Sequence, residues 1–365
     1  AHRKERQVAQ PAFHRQQVPA YAETIVRRAA RVRDTWREGE CDVYQEMMKL
    51  TLGIVGETLF RTELGDDIES LNAGVADIMN VYHAMVLMPG VKYLIHVPFT
   101  PLHKFFVARC RLHATVGRMI ADHRRVSGHA FRRATETDQP VGALAPAPDL
   151  LDLMLSSQDQ MGWSESDLRD QVVTVFLAGY ETMAIALTWT WYLLSQNPGA
   201  RDRMYAEIDA VLAGRLPTYD DLPRLRYTEM VLAESMRLYP PAWAIGREAL
   251  ADFELGPYRL PKGSTVLMSQ FVLQRDPRFF PDPLRFDPLR HTPEAKAARP
   301  RFTYFPFGMG PRQCIGEAFA WMEGVLVLAT FAQRWKMDLV PGHPVEPEPL
   351  FTLRPKYGMS MRITA

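Results

Sequence analysis

FGMGPRQCIG, Phe307–Gly316, is a glycine-rich loop that presents one cysteine, Cys314, just before a helical stretch, Ile315–Arg334. Backbone N–H groups and the positive end of the helix dipole both favour a thiolate over a thiol there. A thiolate held this way attacks an electrophile or binds a soft metal. Cysteine hydrolases need a base and usually an oriented histidine, and no local motif assigns one. Gly308, Gly310 and Gly316 suggest that something flat and bulky lies against the backbone. A haem face fits that requirement, with hydrogen bonds to the sulfur tuning the iron. An inert buried cysteine before a helix is the plain alternative. The other two cysteines, Cys41 and Cys110, form no CxxC pair and lie beside no histidine at zinc-finger spacing. Three cysteines cannot all pair, so the reading is a reducing compartment in which Cys41 and Cys110 are small core or surface residues.

Two further motifs lie upstream. Glu234 and Arg237 in ESMR are three residues apart and share a helix face, where a salt bridge is geometrically easy. An exposed pair of that kind is common and worth little. AGYET, Ala178–Thr182, falls in the middle of a long helix expected over Glu165–Gln196. Ser164 with Asp167 starts that helix as a capping box, and Asn197-Pro198 stops it. Its length is about 48 Å at ~1.5 Å per residue. The central 23 residues, Val172–Leu194, carry one charge, Glu181. Length alone makes this a membrane-span candidate, but a lone carboxylate at mid-bilayer is costly. A helix buried all round in a large helical protein has the same composition and is the preferred reading. Gly179 and Thr182 are expected to loosen helix hydrogen bonding into a local bulge. The acid–alcohol pair Glu181-Thr182 suits proton delivery into a dry pocket.

Around these motifs the 365 residues are 47% hydrophobic and 23% charged, a packed globular profile, and the net charge of +1 argues against a chain that coats nucleic acid or anionic lipid. Helices are expected over Arg3–Arg15, Tyr21–Glu38, Val43–Phe60, from near Asp67, over Pro198–Ala213 and over Arg226–Tyr239. Prolines break Met85–Phe106 into an apolar loop, and Ser127–Pro148 reads as a flexible connection. Short strands are expected within Arg247–Gln270, near Lys336–Val340 and within Phe351–Ile363, with a proline-rich meander over Pro277–Pro300. No GxGxxG or GxxxxGK[ST] motif supports a bound dinucleotide or a P-loop. The fold class is mainly α with a minor β portion.

The chain resembles the cytochrome P450 family: its pattern FxxGxRxCxG is matched at Phe307, Gly310, Arg312, Cys314 and Gly316. The resemblance implies haem b, with Cys314 as axial iron ligand, Phe307 packed near it, and Gly316 and Ala178 against the cofactor. His2, Arg6, Arg247 and Arg312 would meet the haem propionates. Glu234 and Arg237 would be joined by Arg290 of FDPLRH as buried support for the cysteine loop, while His291 departs from the usual aromatic, a minor difference. Thr182 would face the distal side of an oxygen-activating site with Glu181. The substrate wall would include Val175, Ala242, Trp243, Phe351 and Thr352. The implied activity is a monooxygenase that inserts one atom of O2 into a hydrophobic substrate, a fatty acid, terpenoid, steroid or polyketide. Electrons would come from NAD(P)H through a separate ferredoxin, flavodoxin-type or reductase partner. Arg3, Lys4, Arg15, Arg299 and Arg301 form either a basic docking patch for it or an ordinary solvated face. A haem-thiolate sensor is the alternative. Residues 1–365 are expected to be one catalytic domain, cytoplasmic and monomeric, that lacks the family's first helices and strands.

Overall fold

The computed structural model describes residues 2–62, 101–136 and 149–365. The helix expected from near Asp67, and residues 85–100 of the apolar loop, lie outside the described residues. In chain order the helices are α1 His2–Ala9, α2 Ala22–Thr35, α3 Val43–Leu59, α4 Pro101–Glu136, α5 Leu150–Met161, α6 Glu165–Gln196, α7 Pro198–Leu212 and α8 Arg226–Leu238. They are followed by the short α9 Gln270–Leu273 and α10 Pro293–Ala298, and by α11 Glu317–Ala332. The strands are short: β1 Gly39–Asp42, β2 Ile245–Glu248, β3 Phe253–Leu255, β4 Tyr258–Leu260, β5 Thr265–Met268, β6 Lys336–Leu339, β7 Pro347–Pro349, β8 Leu353–Pro355 and β9 Ser360–Thr364.

The long helix α6 begins where its capping box predicts. Ser164 Oγ accepts from the Asp167 N–H (3.1 Å), and Asp167 Oδ2 accepts from the Ser164 N–H (2.9 Å). Its apolar middle is core: Phe176, Tyr180, Ile185, Leu187, Trp189 and Trp191 are all buried. By length and composition α6 passes as a membrane span, the one such helix among the described residues, yet 61% of its most apolar window is buried inside the fold. That burial makes it a core helix. The expected bulge is absent, and α6 runs unbroken from Glu165 to Gln196. Gly179 has another use. A Cβ there would sit 3.0 Å from Val55 Cγ2, so glycine lets α3 and α6 pack closely, and the Thr51 hydroxyl donates to the Tyr180 carbonyl (2.8 Å) across the same contact.

Gly324 does the same job between α11 and α8. A Cβ at this position would overlap Leu232 Cδ2 and lie 3.3 Å from Met183 Cε on α6. Three helices therefore meet at one missing side chain. Gly324→Val is expected to destabilise the fold by about 1–3 kcal/mol through overpacking. A thermal melt checks this, and an unchanged midpoint would mean that α8 and α11 separate without strain.

Elsewhere the structure departs from the sequence reading at identifiable residues. The first helix ends at Ala9, not Arg15, because Pro11 lacks an N–H and starts a 3-10 turn over Gln10–Phe13; Pro19 lies in a second, Val18–Tyr21. Helix α4 continues to Glu136, through the first half of the stretch expected to be a flexible connection, while residues 137–148 lie outside the described residues. Helix α5 is capped by a reciprocal Asp149–Asp152 box and was not anticipated. Neither was β1, which pairs antiparallel with β9, itself paired with β6, so that a strand preceding α3 joins two strands that follow α11 in one sheet. The remaining strands form the hairpin-like pairs β2–β5, β3–β4 and β7–β8.

Candidate functional site

The cysteine loop is folded by its own backbone. Gly308 and Gly310 both have φ of 69°, a left-handed conformation that favours glycine. The Gly308 N–H donates to Phe305 O (3.0 Å), Gln313 N–H to Gly310 O (3.0 Å) and Cys314 N–H to Phe307 O (2.9 Å). These bonds place Cys314 three residues before α11, with its sulfur accepting from the Gly316 N–H. A Cβ on Gly316 would lie 3.9 Å from that sulfur and 3.7 Å from Phe13. Burial pushes the thiol up, and Glu317 adds to the shift, while the Gly316 N–H and Arg6 pull it down. Cys314 nevertheless keeps open surface. A thiol that is both desolvated and accessible sits in a recess, as an axial ligand requires.

Neighbouring segments close on this loop. Arg6 Nη1 donates to Gln313 O (2.6 Å), which ties α1 to it, and the Phe307 ring lies 5.5 Å from Trp321 of α11. Arg312 is exposed within the loop. Arg247 is exposed on β2, with its guanidinium turned to Gly246 O (2.7 Å). The side chain of His2 lies outside the described residues. Of the expected basic patch, Arg3, Lys4, Arg15 and Arg301 are exposed. Arg299 is not part of that surface: it is half-buried, bonds Arg290 O, and stacks 4.6 Å over Phe280.

A buried ion-pair cluster supports the loop from below. Arg237 grips Glu234 through two bonds, Nε to Oε2 (2.7 Å) and Nη2 to Oε1 (2.8 Å), with both side chains fully buried. Arg237 also donates to the carbonyls of Gln274 (2.8 Å), Pro283 (2.7 Å) and Arg285 (3.1 Å), so it pins the meander to α8. Arg290 Nε stands 3.4 Å from Glu234 Oε1. His291 corrects the sequence reading. It is buried with Nε2 3.0 Å from Glu234 Oε2, so its departure from an aromatic side chain is a change of chemistry in the cluster. Burial opposes the Glu234 charge, yet the bonds from Arg237 and His291 hold its carboxyl below the ordinary range. Gln274, also missed, carries the support onward: its side chain bonds Met236 O and Arg237 O (3.1 Å each) and accepts from the Phe305 N–H (3.2 Å). Phe305 in turn accepts from Gly308 of the cysteine loop.

The AGYET segment presents two faces. Val175 and Thr182 are half-buried and Ala178 is exposed, an open stripe where the exposed N-terminal part of α6 passes into its buried C-terminal part. The Thr182 hydroxyl donates to Ala178 O (2.7 Å). Met183 reaches Gly324, about two turns into α11, so the stripe and the cysteine helix belong to adjoining elements. Glu181 is buried away from the stripe and accepts from the Thr352 hydroxyl (2.9 Å). Burial raises its carboxyl, while Thr352 and Arg354 oppose the rise. Leu353 N–H bonds Pro241 O (2.9 Å) and Trp243 Nε1 bonds Leu350 O (2.9 Å). These bonds bring half-buried Ala242 and Trp243 beside exposed Phe351 and buried Thr352.

A haem needs a soft ligand in a recess, a flat approach to backbone, an open face on a buried helix, and cations. Cys314, the glycines around it, the Ala178–Thr182 stripe and Arg6 with Arg312 are residues of those kinds, so this chain fits the group. One other set of metal-ligating side chains converges among the described residues, His123, Asp149 and Asp152, with donor atoms within 4.8 Å. Arg61 lies 3.9 Å and 3.7 Å from the two carboxylates, which also cap α5, so this cluster is an ion-paired helix start.

Comparison with known proteins bears on the family and the fold. The cytochrome P450 family model matches residues 1–361. Cyclooctatin synthase of Streptomyces melanosporofaciens is 38% identical over 362 residues, covering 96% of this chain and 74% of that protein. Pentalenene oxygenase of Streptomyces avermitilis is 33% identical over 369 residues, covering 100% of this chain and 78% of that one. The crystal structure of the cytochrome P450DA heme domain is similar with a TM-score of 0.82 at 26% identity, covering 98% of this chain and 76% of that chain.

Proposed function

The chain belongs to the cytochrome P450 family and is a haem-thiolate monooxygenase, and from that premise we propose that it oxygenates a terpenoid-like hydrocarbon skeleton with electrons from a separate carrier. When bound, haem b supplies the activation of O2, with two electrons and two protons placing one oxygen atom in the substrate and the other in water. Cys314 would hold the iron, with the Gly316 N–H moderating the charge on sulfur. Phe307 would pack near the sulfur, and Gly316 and Ala178 against the cofactor. Arg6, Arg247, Arg312 and His2 would meet the propionates as hydrogen-bonding cations. Thr182 and Glu181 would deliver protons.

The terpenoid reading is supported by the names of two relatives, a cyclooctatin synthase and a pentalenene oxygenase. Val175, Ala242, Trp243 and Phe351 would form an apolar wall suited to a carbon skeleton, which binds by excluding water and not by polar contacts. Exposed Arg3, Lys4, Arg15 and Arg301 would steer an acidic ferredoxin, flavodoxin-type or reductase partner, itself supplied by NAD(P)H. The same proposal takes residues 1–365 as one catalytic domain, monomeric and cytoplasmic.

The observation that carries the proposal is the recessed thiol of Cys314 on a loop braced by a buried ion-pair cluster. The test of substrate is a screen for ligand-induced spin-state change in the ferric protein, using cyclic terpenes, fatty acids, steroids and polyketides side by side. Cyclic terpenes are expected to give the largest change at the lowest concentration. A response confined to fatty acids, steroids or polyketides would overturn the substrate class and leave the family assignment standing.

A further inference from the structure

We infer that Thr352, assisted by Arg354, positions Glu181 for proton delivery, and that the β7–β8 hairpin is the side from which that acid exchanges protons with solvent. This inference rests on the monooxygenase reading and adds to it residues outside α6.

Successive residues of a helix point about 100° apart, so Glu181 and Thr182 cannot share a face of α6. Thr182 lies on the open stripe with Ala178. Glu181 is 3% exposed and faces the turn that leads into β8, where Thr352, itself 4% exposed, donates its hydroxyl to Oε1 at 2.9 Å. A hydroxyl committed to a buried carboxylate 171 residues away along the chain is a positioning contact. The backbone around it is fixed: Leu353 donates its N–H to Pro241 O (2.9 Å) and accepts from Trp189 Nε1 of α6 (2.8 Å).

The polar groups facing Glu181 come from every element packed there. Tyr180 lies beside it on α6, and its buried hydroxyl has no hydrogen-bond partner among the described residues. Tyr44 of α3 is raised by burial first and then by the Glu181 charge, with Arg354 opposing and Asp42 and Glu348 adding to the rise. Arg354 of β8 donates Nε to Glu348 Oε2 of β7 (2.8 Å), and these two side chains are 17% and 28% exposed. Exposure therefore increases from Glu181 through Arg354 to Glu348, a graded polar path in a region otherwise filled by apolar side chains. Its inner end is the Glu181 carboxyl, on the residue that precedes Thr182 in the chain and points to a different face of α6. Because Thr352 holds the carboxyl away from the Thr182 face, the Glu181 side chain would leave Thr352 and turn to give up its proton on the Thr182 side, then return to recover one from solvent on the hairpin side, so the proton count closes without a further reactant.

Burial raises the Glu181 carboxyl, and the Thr352 hydroxyl and Arg354 lower it. Removing either partner must therefore move its titration upward. The experiment uses the haem-loaded protein and follows the carboxyl infrared band of Glu181 against pH, identified as the band missing in Glu181→Gln. In Thr352→Val the midpoint is expected to rise by about 1–2 units, the size of a hydrogen bond to a charged group. Thr352→Ser is expected to restore it, and Arg354→Gln to raise it. The pH profile of product formed per electron pair is expected to shift in the same direction in Thr352→Val. An unchanged midpoint in both Thr352→Val and Arg354→Gln would overturn the positioning role. Loss of the thiolate-haem CO band in the parent protein would instead defeat the monooxygenase reading, so the two failures are told apart.

Discussion

Cys314→Ser is expected to abolish the red-shifted Soret band that thiolate-ligated ferrous haem gives with CO, and with it all monooxygenase turnover. A serine hydroxyl at this position keeps the loop's shape but is neither soft nor ionised at neutral pH, so it cannot donate charge to iron as a thiolate does. Burial alone pushes the Cys314 thiol up. Metal coordination inverts that preference, and the Gly316 N–H and Arg6 already act in the same sense. The control substitutions follow from the other cysteines. Cys41 lies on β1, where burial, Glu46 and Asp42 push its thiol up to about 12, which leaves it inert. Cys110 is exposed on α4. Cys41→Ser and Cys110→Ser are therefore expected to retain the band at parental intensity. A band that survives Cys314→Ser, or disappears in either control, would remove Cys314 as the axial ligand.

The parts of this protein legible in its sequence are those whose physics is local. Ser164, Asp167 and Asn197-Pro198 mark both ends of α6 because a capping box and a proline stop act within a turn. The cysteine loop is legible for the same reason, since its glycines are needed by its own backbone angles. Gly179 and Gly324 look alike in sequence and in neither case signal flexibility. Their function is set by Val55 and Leu232, residues on other helices. Strand β1 is not legible because GECD carries no alternating pattern and its partner, β9, is some 320 residues away. Thr352 falls in the segment expected to touch substrate, but its hydroxyl is committed to Glu181. In the sequence His291 reads as a minor departure, because only the folded meander brings its ring to Glu234. In each case the missing information was the identity of a neighbour, which spacing along the chain does not contain.

Arg237→Ala should be the most damaging substitution outside the cysteine loop. It would leave the fully buried Glu234 with only Arg290 and His291 and without its two short bonds to Arg237, and breaking one partner from a buried ion pair typically costs about 3–5 kcal/mol. It would also strip donors from the carbonyls of Gln274, Pro283 and Arg285. A native protein has only about 5–15 kcal/mol in reserve, so the variant is expected to melt far below the parent and to retain little haem. Arg237→Lys should rescue it poorly, because an ammonium cannot bind both carboxylate oxygens and three carbonyls in one plane. The same cluster fixes the acid sensitivity of the fold. His291 is held below its ordinary value of 6.5 by burial, with Glu234 opposing, and Glu234 below 4.5 by Arg237 and His291 against its own burial. Both folded-state shifts are downward, so both contributions are present above the unfolded values and are lost as pH falls. Stability should begin to decline below about pH 6.5 as His291 is forced to charge, and decline further below about 4.5 as Glu234 is protonated. His291→Phe removes the first of these steps and leaves the second, which urea midpoints measured across that range would resolve. If Arg237→Ala unfolds at the parental midpoint and keeps its haem, the cluster does not brace the loop, and the support for Cys314 must come from Arg6 and Phe13 instead.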